Sequence, residues 1–359
     1  MNRTQRLGIA AAAVLALALL AAVFGHQREP ASGTAAAGPL LPGLKEALSG
    51  VARVDLASGT SRSSLRRAGE DWGVAEREGY AVDRERLADL LKELSAARAL
   101  EQKTAKPEFF ARLGLDDIDK PGSNAVLVEI WRDDTAPAWR VLVGNAAEGR
   151  SGRYVRIAGS NQTWLVDRSP QAFADPADWI DRTMLGLDFA RVAGVSRRAA
   201  DGAGFEASRA DASVASLSVA ALPDGKRARY DSVFDAAARA VLSAEAEDVR
   251  KPAETLFSGA SLVGNRIRFF DGLVLDIDAV KAADGNWVRV KASAGAAAKP
   301  AVADAEASAA QPDPAAEAAA IDARLSGWAF KVSDYIYGEL SKPLTEYIEE
   351  VKDDEGKAQ

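Results

Sequence analysis

The chain has 359 residues, 48% hydrophobic and 27% charged, with 29 Gly and 14 Pro; this exceeds the usual ~100–200 residues of one domain and excludes a disordered or collagen-like chain. With no cysteine and a single histidine, His26, it excludes disulfides, thiol nucleophiles, Cys-ligated zinc and an acylated lipoprotein cysteine, and also a histidine base or paired-histidine metal site unless another chain supplies the partner. The net charge of −7 speaks against nucleic acid as the main partner.

In chain order, the 18 residues Leu7 to Phe24 carry no charge. At helical rise they span about 27 Å, close to a hydrocarbon core of ~30 Å. Arg3 and Arg6 precede the run, so the positive-inside rule leaves the N-terminus in the cytoplasm and the bulk of the chain in the periplasm. The expectation is a single-pass inner-membrane anchor in residues 1–28, preferred over a cleaved signal peptide because Phe24 fits poorly before a cut. Residues 29–40 then read as a linker.

From Val51 the pattern shortens to strand-like alternation around Val54, Leu56, Leu65, Trp72 and Val74. Asp83 stands as the N-cap of a helix with Leu87, Leu90, Leu91 and Leu94 on one face, ending near Ala99. A meander follows in four runs, 124–131, 138–144, 152–158 and 163–167. The same order recurs: Val192, Val195, Phe205 and 217–222, then a helical stretch after Asp231, then strand-like runs at 266–270, 273–278 and 286–292. Asp83 and Asp231 lie 148 residues apart, and Pro107 and Pro252 lie 145 apart. Offsets this close predict an internal duplication. The expected fold is therefore α+β: a transmembrane helix followed by two similar domains, each an antiparallel sheet with one packed helix. The repeats are placed at 41–180 and 181–292, an Ala-rich disordered insertion at 293–320, and a closing strand and helix with a charged tail at 321–359.

Several short motifs stand in a fixed order: Leu41-Pro42-Gly43-Leu44, Trp72-Gly73-Val74, Tyr80 with Asp83, Lys103-Thr104, Leu113-Gly114-Leu115 and Val143-Gly144. Tyr154-Val155-Arg156, Trp164-Leu165-Val166, Asp178-Trp179-Ile180-Asp181-Arg182 and Trp328-Ala329-Phe330 continue it. Together they resemble the bacterial membrane-anchored family named domain of unknown function 4340, over nearly the whole chain outside the two linkers. The resemblance implies an envelope protein without established enzymatic activity, with genes often beside an ABC-type transport system related to gliding-motility components. It supplies no catalytic residues, and the Ala-rich stretch departs from its compact pattern.

The candidate sites favour structural roles. His26 lies at the membrane boundary. Asp276 and Asp278 share one strand face, with Asp271 before the turn; a paired-carboxylate glycan site or a hard-cation site wants such a pair, but Leu273, Leu275 and Ile277 alternate with them as a core face. Asp116, Asp117 and Asp119 lack the Gly and closing Glu of a calcium loop. Trp72, Trp131, Trp139, Trp164, Trp179, Trp287 and Trp328 suit strand packing better than a carbohydrate platform. Asp178 to Arg182 joins the repeats, with Trp179 expected buried and Asp181 or Arg182 at a helix start. The charged end, Glu349 to Asp354, reads as solvated tail. No Gly-x-Ser-x-Gly, Ser-x-x-Lys, phosphate-loop or dinucleotide motif is present. The expected function is a non-enzymatic, periplasmic interaction module with protein partners in an ABC-type membrane complex, using no cofactor or metal and no nucleic acid. The alternative is an envelope protein that binds or processes glycans through Asp276 and Asp278.

Overall fold

The computed structural model describes residues 38–259, 261–297 and 313–351. Two large antiparallel sheets dominate, and helices are few. These residues fall into two compact units, one within 1–62 and 88–174 and the other within 63–87 and 175–359.

In chain order the first strands are β1 (Arg53–Ala57), β2 (Arg62–Ala68), β3 (Asp71–Val74) and β4 (Tyr80–Ala81), followed by helix α1 (Arg84–Ala96). Next come β5 (Ala99–Gln102), β6 (Val126–Trp131), β7 (Pro137–Ala146), β8 (Arg153–Ile157) and β9 (Thr163–Val166). The first unit is built on the order β1-β6-β7-β8-β9-β5. Alternation explains β1 and β6, where Val54, Leu56, Val128 and Ile130 are fully buried. β7 instead runs buried without a break from Val141 to Gly144, because its second face is covered as well: Leu142 packs in a cluster with Phe110, Leu115 and Ala125. This covering also explains two of the sequence motifs. A side chain at Gly144 would run into the Leu113 carbonyl, and Gly114 turns the chain there with φ 67°.

The second unit continues with β10 (Val192–Ala199), β11 (Gly204–Ser208), β12 (Ser218–Val219), β13 (Lys226–Ala228), helix α2 (Asp235–Leu242) and β14 (Asp248–Arg250). Then come β15 (Val263–Phe269), β16 (Leu273–Ala282), β17 (Gly285–Ala294), α3 (Pro314–Leu325), β18 (Ala329–Val332), α4 (Asp334–Ser341) and β19 (Ile348–Glu350). The sheet order is β12-β11-β10-β15-β16-β17-β18-β14. Its run β10-β15-β16-β17-β18-β14 matches the first unit's β1-β6-β7-β8-β9-β5 strand for strand, and Lys106-Pro107 and Lys251-Pro252 each follow the terminal strand. Those terminal strands are short: β5 has four residues, β14 three and β12 two.

The expected fold class needs correction. The chain is mostly antiparallel sheet, and among the described residues no helix is long and apolar enough to cross a membrane; the longest, α1, has 13 residues, against the ~20 a span requires. The run Leu7 to Phe24, His26 and residues 29–37 of the linker lie outside the described residues; at the end of the linker Pro39 bridges to Arg98 and Leu40 donates to the Ala97 carbonyl, so that end belongs to the fold. Nor is there one helix per unit, since α2, α3 and α4 all belong to the second. Part of the Ala-rich stretch is ordered. Ser293 and Ala294 finish β17, and α3 is capped by Asp313, carries Pro314 in its first turn and buries Ala318, Ile321 and Leu325. Residues 298–312 lie outside the described part.

Local expectations fared unevenly. Asp83 accepts from the Arg86 amide at 3.0 Å as the cap of α1, and Leu87, Leu90 and Leu94 are buried. The helix stops at Ala96, however, and Ala99 opens β5. The second helix starts at Asp235 after Phe234, not at Asp231. No helix begins at Asp181 or Arg182; that segment lies extended beside β4, with Asp181 donating its amide to Ala81 and Trp179 accepting from Asp83. Trp179 is fully buried. Glu349 and Glu350, expected in the solvated tail, belong to β19 and pair with Arg227 at 2.8 Å and Lys226 at 2.7 Å.

One buried cation fastens the end of the chain to the second unit. Arg197 on β10 sits on the core face and gives Nε to Asn265 Oδ1 at 2.8 Å, Nη1 to the Lys342 carbonyl at 2.5 Å and the Tyr347 hydroxyl at 3.1 Å, and Nη2 to the Glu339 carbonyl at 2.5 Å. Burial pushes its pKa below the ordinary arginine value, against the pull of Tyr347 and Glu339. Arg197→Met leaves those carbonyls without donors, so urea unfolding of the variant should show a loss of about 2–4 kcal/mol; an unchanged midpoint would refute this role. In the same unit Tyr80 packs edge-on against Trp328 at 5.0 Å and Phe330 at 5.9 Å. Burial, with the Asp181 charge adding to it and Arg324 opposing, pushes the Tyr80 hydroxyl up to about 12. The unfolded phenol ionises near 10, so the stability it contributes is complete below about pH 10 and is lost as pH rises through about 12. Alkaline unfolding curves should show this slope, and Tyr80→Phe should flatten it.

Candidate interaction face on the second sheet

The second sheet carries its chemistry on the face away from the core. Strand pairing lines up three rows across it. One runs Gly204, Arg198, Gly264, Asp278, Arg289; the next runs Glu206, Ser196, Arg266, Asp276, Lys291; the third runs Ser208, Gly194, Arg268, Val274, Ser293. Alternation places all of these on one face. The core-facing residues between them, Ile267, Leu275, Ile277 and Val290, are buried.

Charge alternates from strand to strand, and neighbours neutralise each other. Arg266 meets Asp276 at 2.7 Å, Arg289 meets Asp278 at 2.7 Å and Arg268 meets Glu206 at 2.5 Å. Asp276 and Asp278 thus share a face, as the strand spacing predicts, but each carboxylate is held by the arginine directly opposite it. The face has five cations and three carboxylates. The surplus is Arg198 and Lys291, both exposed and neither in an ion pair with a described residue. Arg198 stands between Gly204 and Gly264, so no side chain flanks it on either neighbouring strand. The result is a trough of about 460 Å³, lined by Arg198, Ser196, Gly204, Gly264, Asp276 and Asp278 among others. Phe205 also borders it, but that ring belongs to the core cluster with Phe234 at 5.5 Å and Tyr347 at 5.2 Å.

The remaining candidates sit elsewhere. Asp271 takes the Nε and Nη2 of Arg191, whose Nη1 and Nη2 also hold Glu317, a cluster that ties α3 to the β15–β16 turn. Glu317 and then Asp271 raise the Arg191 pKa, against burial. In the first unit Asp116 pairs with Lys120 at 2.8 Å and Asp117 with the buried Arg156 at 2.5 Å. Among the described residues no three acidic or histidine side chains converge as a metal site. The tryptophans are spread over both units, and several rings are covered by cations: Arg53 lies 3.6 Å from the Trp131 centroid, Arg250 3.7 Å from Trp287 and Lys251 3.5 Å from Trp328.

The sequence reading of 273–278 found the two aspartates but missed Arg198 and Lys291. Their signal lay in neighbouring runs. Counted at alternate positions, 266–270 and 286–292 supply basic residues opposite the acidic strand, and β10 places consecutive arginines on opposite faces.

A family described as Domain of unknown function (DUF4340) matches residues 72–258, just over half of the chain, and the protein belongs to that family. No curated protein and no solved structure matches the chain.

The ion pairs on this face are exposed, so each should contribute only a few tenths to about 1 kcal/mol. Asp276→Asn and Asp278→Asn should each lower the unfolding free energy from urea titration by an amount within that range; a loss above about 2 kcal/mol would show that the pairs hold the sheet together.

Proposed function

We propose that the protein is a non-enzymatic interaction module on the periplasmic side of the bacterial inner membrane, an accessory component of an ABC-type transport or gliding-motility-related complex. The observation that carries this reading is the open outer face of the second sheet. In the first unit the corresponding face is packed over by the segment containing Phe110 and Leu115. In the second, the segment after β14 covers only the end around Val280 and Trp287, through Leu256, Phe257 and Leu262. What stays open is an array of paired charges with the trough at Arg198 and a second hollow beside Ser208, Arg268 and Val274, a surface suited to contact with another macromolecule.

The glycan reading draws less support. Asp276 and Asp278 are each bound to an arginine, no tryptophan lines the trough, and the one ring at its border, Phe205, belongs to the core cluster.

The test is crosslinking in native membranes followed by mass spectrometry. Crosslinks from the second unit to subunits of a membrane transport complex are expected, and recovery of the chain alone under gentle solubilisation would overturn the reading. Protease added to spheroplasts should digest the two units; protection until lysis would contradict the periplasmic placement.

A further inference from the structure

We propose that the outer face of the second sheet docks an acidic, extended segment of a partner protein, with Arg198 and Lys291 as the two carboxylate anchors. This rests on the interaction-module reading and specifies where and what that module binds. The first argument is charge. The chain as a whole carries −7, yet the three rows carry Arg198, Arg266, Arg268, Arg289 and Lys291 against Glu206, Asp276 and Asp278. With three ion pairs made, the face retains two cations, and an acidic ligand is what neutralises them.

The second argument is shape. Gly204 and Gly264 flank Arg198 on the adjacent strands, which opens a gap in the lawn of side chains. A helix ~10 Å across rides above such a gap, whereas an extended segment crossing the strands lowers one side chain into it. On the Gly264 side the Asp278 carboxylate leans over the gap, 3.6 Å from where a Cβ would stand, while Asp278 itself is held by Arg289; the planar Arg198 guanidinium is left to take an incoming carboxylate bidentately.

The third argument is spacing. Arg198 on β10 and Lys291 on β17 are three strands and one face-step apart, roughly 16 Å. In an extended chain that separation corresponds to about five residues. The occupant therefore runs across the strands and carries two acidic residues four or six positions apart, an even separation that turns both side chains to the sheet, one of them over the glycine gap. It does not extend the sheet, whose terminal strands β12 and β14 have only two and three residues.

The experiment places a photoreactive amino acid at Ser196 in the full-length chain, crosslinks in native membranes and sequences the captured peptide. The expected peptide is net acidic, with Asp or Glu at about that spacing. Made synthetically, it should bind the purified full chain, weaken as salt rises from 50 to 300 mM, and lose roughly tenfold affinity with either Arg198→Glu or Lys291→Glu. The double variant should recover binding to a twin peptide with lysines at the two acidic positions, a rescue that a merely structural role does not produce. Arg198→Gln serves if charge reversal lowers the melting temperature. A neutral or basic captured peptide, a lipid adduct alone, or affinity indifferent to both reversals would overturn the proposal. Partner capture at other positions but not at Ser196 would overturn it while leaving the interaction-module reading intact. No partner at any position would remove both.

Discussion

A guanidinium carries five N–H donors in a fixed fork, and one placed in a core must find acceptors for them at fixed points. Arg197 imposes this requirement on the second unit. Its donors reach the carbonyls of Glu339 and Lys342, the Tyr347 hydroxyl and the Asn265 side chain. The carbonyls are those a helix leaves unsatisfied at its C-terminal end, so the buried cation and the end of α4 complete one another. Asn265 also donates to the Leu340 carbonyl, and Asn286 donates to Asp334 at the other end of the helix. Two asparagines and an arginine on the core face thus fix where α4 lies. Phe205 and Phe234 close over Tyr347. Elsewhere arginines repeat the device: Arg209 holds the carbonyls of Phe189, Ala190 and Val214, Arg324 those of Thr183 and Met184, and Arg156 those of Leu115 and Ser160. In this sheet-rich chain, irregular segments are held by cations that reach backbone oxygens.

How much of this was legible follows from the range of each signal. The runs 124–131, 138–144, 152–158 and 163–167 fell in β6 to β9, and 266–270, 273–278 and 286–292 in β15 to β17, because alternation over five or more residues is written locally. β5 and β14 escaped because three or four residues do not establish a period; pairing to β9 and β18 is what makes them strands. α3 is half legible: the Ala-rich end near Ala315 to Ala320 suggests a frayed helix, since alanine is the best helix former, but not one that packs, and Ile321 with Leu325 suffices for that once Arg191 and Arg324 fasten the helix. Asp313 followed by Pro314 was a start signal within reach of the sequence.

The candidate face was half legible. That Asp276 and Asp278 point the same way follows from a period of two. What they do there depends on Arg266 and Arg289, ten and eleven residues away along the chain, and strand register decides that proximity. Register also isolates Arg198: a period of two puts Arg197 on the face of Val195 and Arg198 on that of Ser196, but only strand pairing sets Arg198 between Gly204 and Gly264.

The shortness of β5, β12 and β14 bears on the chain's behaviour in company. An open sheet invites further strands, and a long bare edge is a template on which copies polymerise. Here an added strand would find only two to four residues to pair with. Insertions that lengthened β14 would therefore act on solubility before they acted on stability, turning the rim of the sheet into the first rung of a fibre.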